Sequence, residues 1–252
     1  MRLTTTEQLL ILKAFKEIFK TGKVYLFGSR VDDTKKGGDI DLYLIIDENI
    51  KNKQELKIKF LTKLEKYLGE QKIDVVIANN TDRYIEQVAL KDGVMLDEKN
   101  IKIEKYLNEC KKHSIRVEKA YNKVKNIFPL SAKKYENLND EEIEAIDQYL
   151  FRFAKLQDTI GKKLFRLIVS EYVEDIEQLT FIDILNKLEK IGIIENANDW
   201  KILRKIRNDI SHQYDDEPQE MAEALNNIFA QKDVILGIYN EIIKYYNEKY
   251  EK

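Results

Sequence analysis

Cysteine, proline and histidine are scarce in this chain, which has one Cys, two Pro and two His in 252 residues. The single cysteine, Cys110, can form no disulfide within the chain and belongs to no cysteine cluster with zinc-ligand spacing. Both prolines, Pro129 and Pro218, fall between segments with a helical pattern, where a missing N–H costs little. These absences exclude a disulfide scaffold and a cysteine-rich zinc fold, and they are typical of a reducing compartment.

The sequence also lacks an excess of either charge and any long apolar run. Lys and Arg number 43 against 45 Asp and Glu, which gives a formal net charge of −2. The chain therefore lacks the broad basic surface of proteins that bind nucleic acid chiefly by charge. No apolar segment approaches the roughly 20 residues that span a bilayer, and charged residues interrupt the N-terminal apolar pattern, unlike a signal peptide. We expect a soluble cytoplasmic protein with no membrane partner.

Glycine becomes rare after residue 100, where Lys, Glu, Asn, Leu and Ile recur in helical phase. This shift in composition predicts one domain over residues 1–99 and a second over residues 100–252. Apolar runs in the first domain predict strands at 23–27, 40–46, 72–77 and 94–96. The second domain has predicted helices at 101–127, 140–172, 180–191, 198–213 and 218–249. The predicted fold class is α+β: a mixed sheet with flanking helices, followed by an all-α bundle.

A glycine turn and two aspartates join the first two long predicted strands. Gly28, Ser29 and Arg30 follow the first strand directly, and nine residues separate Ser29 from Asp39, which with Asp41 opens the second strand. Residues two apart in a strand point to the same side, so Asp39 and Asp41 project together. Gly28 lets the backbone approach a triphosphate, while the Ser29 hydroxyl and nearby N–H groups can bind its terminal phosphates. Arg30 adds positive charge.

The next predicted strand supplies a third carboxylate, Asp74, set between two apolar neighbours. Adjacent carboxylates repel one another unless a cation lies between them, so this set indicates a divalent metal site. Two Mg²⁺ ions about 4 Å apart can activate an attacking hydroxyl and neutralise a leaving pyrophosphate. Taken singly, each aspartate is better read as a solvated turn or strand-edge residue. Together with the glycine turn, the three favour a nucleotide site.

This combination resembles the signature of the minimal nucleotidyltransferases of the polymerase-β-like superfamily. The resemblance covers about the first hundred residues, and its Ser29-to-Asp39 spacer is one residue shorter than the commonest family form. It implies that Asp39 and Asp41 are metal ligands and that Asp74 is a metal ligand or the base for the incoming hydroxyl. It also implies ATP as the nucleotide donor and Mg²⁺ as the cofactor.

A second cluster of reactive residues lies near the end of a predicted helix, at Arg207, Asn208, His212 and Tyr214. Asn208 and His212 lie one turn apart on one face, whereas Arg207 and His212 diverge by roughly 140° on an ideal helix. His is the usual proton shuttle near neutral pH, and Arg can stabilise a phosphoryl transition state. Together they could cleave RNA. On residue chemistry alone, His212 is better read as a helix-terminal residue that caps carbonyls beside a solvated Arg207.

The spacing Arg207-x4-His212-x-Tyr214 resembles the motif of the HEPN family of nucleotide-binding and RNase domains. HEPN domains accompany minimal nucleotidyltransferases as toxin–antitoxin partners, in which the transferase attaches AMP to the motif tyrosine and silences the RNase. The resemblance implies that Tyr214 is the acceptor, that Arg207 and His212 are the RNase pair supported by Asn208, and that RNA is a substrate. The resemblance to the HEPN family implies dimerisation, and Arg207 and His212 diverge on a single helix. Together these points predict a homodimer.

Three hypotheses therefore remain open. The first is a single-chain fusion in which AMP transfer from ATP to Tyr214 silences a metal-independent RNase site. The second is an antibiotic-modifying nucleotidyltransferase, since the aminoglycoside enzymes of this superfamily also join such a domain to a helical bundle. The third is a nucleotide-binding module with a vestigial RNase site.

Overall fold

The structure is a computed structural model that describes residues 1–32, 34–79, 83–210 and 217–250. The chain divides into two compact units, Met1–Lys102 and Ile103–Lys252. This division falls three residues after the predicted boundary at 99/100.

The first unit is built on a sheet of four strands: β1 Gly22–Phe27, β2 Ile40–Ile46, β3 Ile73–Ile77 and β4 Val94–Met95. The strand order is β3-β2-β1-β4. β1 pairs antiparallel with both β2 and β4, whereas β2 and β3 are parallel. The predicted mixed sheet is therefore confirmed, with the parallel pair at the β3 edge.

Three helices cover this sheet: α1 Thr5–Phe19, α2 Lys53–Leu68 and α3 Tyr84–Asp92. The alternate residues Ile40, Leu42, Leu44 and Ile46 of β2 are buried in one core with α1 and α2. Tyr43 faces the other way and is buried beside α3. This alternation confirms the strand phase read from the sequence and puts Asp41 on the same side of β2 as Tyr43.

The remaining helices run from α4 onward: α4 Glu98–Val124, α5 Ala132–Glu136, α6 Asp140–Thr159, α7 Phe165–Val169, α8 Phe181–Lys190, α9 Ala197–Ile210, α10 Pro218–Ala230 and α11 Lys232–Tyr250. One π-helical turn, Ile160–Leu164, joins α6 to α7. The second unit is thus largely helical, as predicted. No described helix is both long and apolar enough to cross a membrane.

Two of the predicted helices differ from the structure. The segment 140–172 contains the π turn, and the segment 218–249 is two helices that separate at Gln231. The Gln231 N–H donates to the carbonyls of Ile228 and Phe229, which ends α10. Its backbone angles, φ −86° and ψ 1°, suit any residue. Neither glycine nor proline marks this break, and the apolar pattern continues across it. The sequence therefore predicted one helix where the structure has two.

Candidate active site in the first unit

The turn after β1 places the backbone against a carboxylate. Gly28 has a φ of +76°, which L side chains rarely adopt, and it begins a 3₁₀ turn over Gly28–Val31. A Cβ atom at this position would collide with the Asp41 carboxylate. Glycine is therefore required here both for the backbone conformation and for the approach of Asp41.

Two arginines hold the loop that follows this turn. Arg2 donates through its guanidinium to the carbonyls of Ser29 and Gly37, each at 2.9 Å, and through its backbone N–H to the carbonyl of Arg30 at 2.7 Å. The Arg30 Nε donates to the carbonyl of Gly38 at 3.1 Å. The phosphate contact predicted for Arg30 stays a prediction, because the Arg30 guanidinium is hydrogen-bonded to the loop in this structure. Arg2 was missed, since nothing in its sequence position links it to residues 29–37.

The strand register brings the predicted carboxylates to one end of the sheet. Asp41 is the cross-strand partner of Phe27, the residue before Gly28, and of Asp74 on β3. Asp39 comes directly before β2. The glycine turn and all three aspartates predicted from the sequence therefore lie together, although they span almost fifty residues of the chain.

Lys72 lies among these carboxylates and was not predicted. Its ammonium group forms an ion pair with Asp39 and lies 3.9 Å from a carboxylate oxygen of Asp74. The hydrogen bond to Asp39 is the main cause that raises the pKa of Lys72, followed by the negative charges of Asp39 and Asp74. The parallel register, in which Ile40 faces Ile73, puts Lys72 opposite Asp39. That register cannot be read from the local sequence, so Lys72 looked like an ordinary strand-flanking lysine.

Asp41 lies in an environment that disfavours its charged form. Burial is the first cause that raises its pKa, and repulsion from Asp74 and Asp39 adds to the effect. Lys72 acts in the opposite direction. A carboxylate held this way is stabilised by additional positive charge beside it.

The donor chemistry of this site fits a hard divalent cation, because Mg²⁺ prefers carboxylate oxygens. Across the described ranges, however, no group of three or more His, Cys, Asp or Glu side chains is placed to hold a metal ion. The Lys72 ammonium instead pairs with Asp39 and lies 3.9 Å from a carboxylate oxygen of Asp74. Metal coordination by Asp39, Asp41 and Asp74 requires Lys72 to move, and its side chain is 68% exposed and therefore has room.

The second predicted cluster is only partly described. Arg207 lies in α9, and its Nη1 is 3.5 Å from a carboxylate oxygen of Asp158 in α6, a partner that sequence reasoning missed. Asn208 is exposed. His212 and Tyr214 lie outside the described residues, so their predicted roles stay predictions. Helix periodicity within α9 gave no signal for Asp158, which is 49 residues earlier in the chain.

Comparison with known proteins bears on the first unit alone. No curated protein and no solved structure matches the chain significantly. Residues 10–102 match the family model described as polymerase beta, nucleotidyltransferase. This range contains β1 to β4, the Gly28 turn, Asp39, Asp41 and Asp74. The match to residues 10–102 supports a nucleotidyltransferase function.

Proposed function

We propose that the first unit transfers AMP from ATP to a hydroxyl group with the help of Mg²⁺. The observation that carries this proposal is the cross-strand pair of Asp41 and Asp74 beside the Gly28 turn. Carboxylates on neighbouring strands are held rigidly, which metal-assisted phosphoryl transfer needs. Two ions bound there would neutralise the triphosphate and polarise its α-phosphate.

Each residue of the site has a separate role in this proposal. The Ser29 hydroxyl and the N–H groups of the turn bind the terminal phosphates, and Asp39 and Asp41 hold the cation. The acceptor oxygen attacks the α-phosphorus, the bond to the pyrophosphate oxygen breaks, and pyrophosphate leaves with the electron pair. In this proposal Asp74 takes the acceptor proton or would bind the second ion. Lys72 leaves the carboxylates and pairs with the negative charge of the phosphates.

We infer further that the acceptor is Tyr214 and that its modification silences an RNase site formed by Arg207, His212 and Asn208. The motif Arg207-x4-His212-x-Tyr214 in the same chain as the transferase supports this acceptor. A phosphate ester beside Arg207 would pair with the guanidinium and occupy the place of RNA phosphate. The homodimer remains part of this proposal, because a second copy can supply His212 to Arg207.

Intact-mass analysis after incubation with Mg-ATP tests the transfer. The expected result is one added AMP on the wild-type chain and none on Asp41→Ala or Tyr214→Phe. Tyr84→Phe is the matched tyrosine control, because Tyr84 is 81% exposed and should leave the modification unchanged. In a mixture of Asp41→Ala and Tyr214→Phe, AMP on the Asp41→Ala chain shows transfer between copies.

The RNase part has its own test. Tyr214→Phe should cleave RNA in the presence of ATP, and adding His212→Ala should abolish the cleavage. A double variant that still cleaves contradicts the role of His212. An unmodified wild-type chain that instead transfers AMP to an aminoglycoside contradicts the Tyr214 proposal and leaves the transferase itself intact.

A further inference from the structure

An open groove of about 330 Å³ runs along β3 in the first unit. Its lining comes from residues 75–79 of β3 and the turn after it, from Lys53, Gln54 and Lys57 at the beginning of α2, and from Arg83. In the strand order β3-β2-β1-β4, β3 is an outer strand of the described sheet. The groove therefore lies at a sheet edge.

Alternate residues of β3 direct their backbone groups into this groove. The Ala78 N–H donates to the Leu44 carbonyl of β2 at 2.8 Å. The backbone groups of a strand alternate between its two edges, so those of Val75 and Ile77 point away from β2. Within the described ranges, the Ile77 carbonyl has a partner on that side, the Arg83 guanidinium at 3.4 Å, whereas both Val75 groups and the Ile77 N–H have none. These groups can pair with another extended chain.

The strand carries no charge of its own along the groove. Residues 75–78 are Val, Val, Ile and Ala, and at about 3.3 Å per residue they span roughly 13 Å. Proteins usually protect an edge strand with charged side chains or proline on the strand itself, or with a bulge. None of these devices occurs over residues 75–78, where the pairing with β2 is regular. The edge is therefore suited to receive a partner strand.

The charged side chains that line the groove are all cationic: Lys53, Lys57 and Arg83. Arg83 forms an ion pair with the buried carboxylate of Glu86, which largely cancels its charge. Lys53 and Lys57 are half-buried and form no ion pair with any residue that the structure describes. They lie four residues apart on one face of α2, near its positive N-terminal end, so they repel one another. Negative charge beside β3 would relieve this repulsion.

We propose that this groove binds an extended acidic peptide, which adds to β3 as a further strand and directs its carboxylates toward Lys53 and Lys57. In strand addition, backbone hydrogen bonds give affinity and alternate side chains give specificity. The helix α2 packs on the face of the sheet to which Val75 points. Every second side chain of the added strand lies on that face, so a peptide with acidic residues at alternate positions fits best. This inference does not depend on the transfer reaction.

The probe is a fluorescein-labelled hexapeptide of alternating threonine and glutamate, because threonine favours strands and glutamate supplies the charge. Fluorescence anisotropy at low ionic strength measures its binding to the full-length protein. The probe should bind saturably. The same peptide with lysine in place of glutamate should bind at least about tenfold more weakly, since its charges repel Lys53 and Lys57.

Methylation of the peptide nitrogens separates strand addition from charge attraction alone. One peptide carries N-methyl groups on its glutamates and a second carries them on its threonines. Alternate N–H groups of a strand point to opposite edges, so one of these two sets faces β3 and the other faces solvent. One methylated peptide should therefore bind at least about tenfold more weakly, and the other should bind like the unmodified probe.

Two lysines of α2 provide the matched comparison. Lys57→Ala should weaken binding of the probe about fivefold, and adding Lys53→Ala should weaken it further. Lys66→Ala removes an exposed lysine from the last turn of the same helix, outside the groove, and should leave binding unchanged. Thermal melts check that each variant folds.

Four results would overturn the proposal. The first is a millimolar probe that does not bind, and the second is equal binding of the two methylated peptides. The third is equal binding of the probe by Lys57→Ala and Lys66→Ala. The fourth is a uridine hexanucleotide that binds as tightly as the probe, since the groove would then recognise phosphate charge rather than a peptide strand.

Discussion

The sheet end of the first unit and a pocket of the second unit, between α6, the π turn, α7, α8 and α9, are opposite in charge but alike in one respect. At the sheet end, one lysine lies among three carboxylates, whereas four cations and one carboxylate line the pocket: Lys162, Arg166, Arg204, Arg207 and Asp158. In each region the absence of a Cβ atom on a glycine lets a side chain approach the backbone. Asp41 lies close to Gly28, and Trp200 lies close to Gly161. In both regions, a close contact therefore depends on a glycine that the surrounding strand or helix places there.

The prediction with the largest expected effect concerns Gly28, the glycine of the sheet end. Gly28→Ala puts a methyl group into the Asp41 carboxylate at a positive φ, so it should displace the carboxylate and lower the transfer rate about a hundredfold. Gly38→Ala is the matched control, since no described heavy atom lies within 4 Å of a Cβ there. Intact-mass time courses measure both rates. Equal rates for the two variants would show that the approach of Asp41 to the turn is not needed.

The corresponding glycine of the second unit should affect stability. Gly161→Ala brings a methyl group to 2.7 Å from the Trp200 ring and should lower the free energy of unfolding by about 1–3 kcal/mol. Gly237→Ala, in α11, meets no described atom within 4 Å and should raise it by about 0.5–1 kcal/mol through helix propensity. Urea unfolding followed by circular dichroism measures both values. If Gly161→Ala leaves the free energy of unfolding unchanged, the close contact with Trp200 does not require a glycine at this position.

A third prediction concerns a residue that acts through the loop. Arg2→Ala removes the guanidinium from the carbonyls of Ser29 and Gly37 and should raise the KM for ATP about tenfold, because the loop is no longer held. Lys20→Ala, an exposed substitution at the end of α1, is the control. Transfer rates measured over a range of ATP concentrations separate KM from kcat. A fall in kcat with KM unchanged would mean that Arg2 does not position the triphosphate-binding turn.

Much of the sheet end could be predicted from the sequence because strands alternate every two residues. Asp39 and Asp41 had to share a side, and the buried positions Ile40, Leu42 and Leu44 confirm that phase. The register between β2 and β3 is a tertiary property, which is why Lys72 was missed.

The pocket of the second unit could not be predicted in the same way. Its residues come from separate helices, and the π turn that brings Trp200 against Gly161 has no sequence signal comparable to a strand's alternation. The ion pair of Asp158 with Arg207 joins residues 49 positions apart and depends on how α6 and α9 pack. Local sequence patterns therefore predict which residues lie together less well in a helical unit than in a sheet.

The smallest expected effect concerns the electrostatics of the sheet end. Burial and the neighbouring carboxylates raise the pKa of Asp41 in the folded protein, so its charged form is disfavoured by folding. The resulting loss of stability is full above the folded-state pKa and disappears as the pH falls below the unfolded-state pKa, near 4. Asp41→Asn should therefore raise the melting temperature at neutral pH without metal, and the difference should vanish at lower pH. Asp47→Asn, an exposed control beyond the end of β2, should show no gain at either pH. If the gain in melting temperature of Asp41→Asn persists unchanged at low pH, packing rather than charge causes it. The acidic sheet end would then carry no electrostatic cost at Asp41.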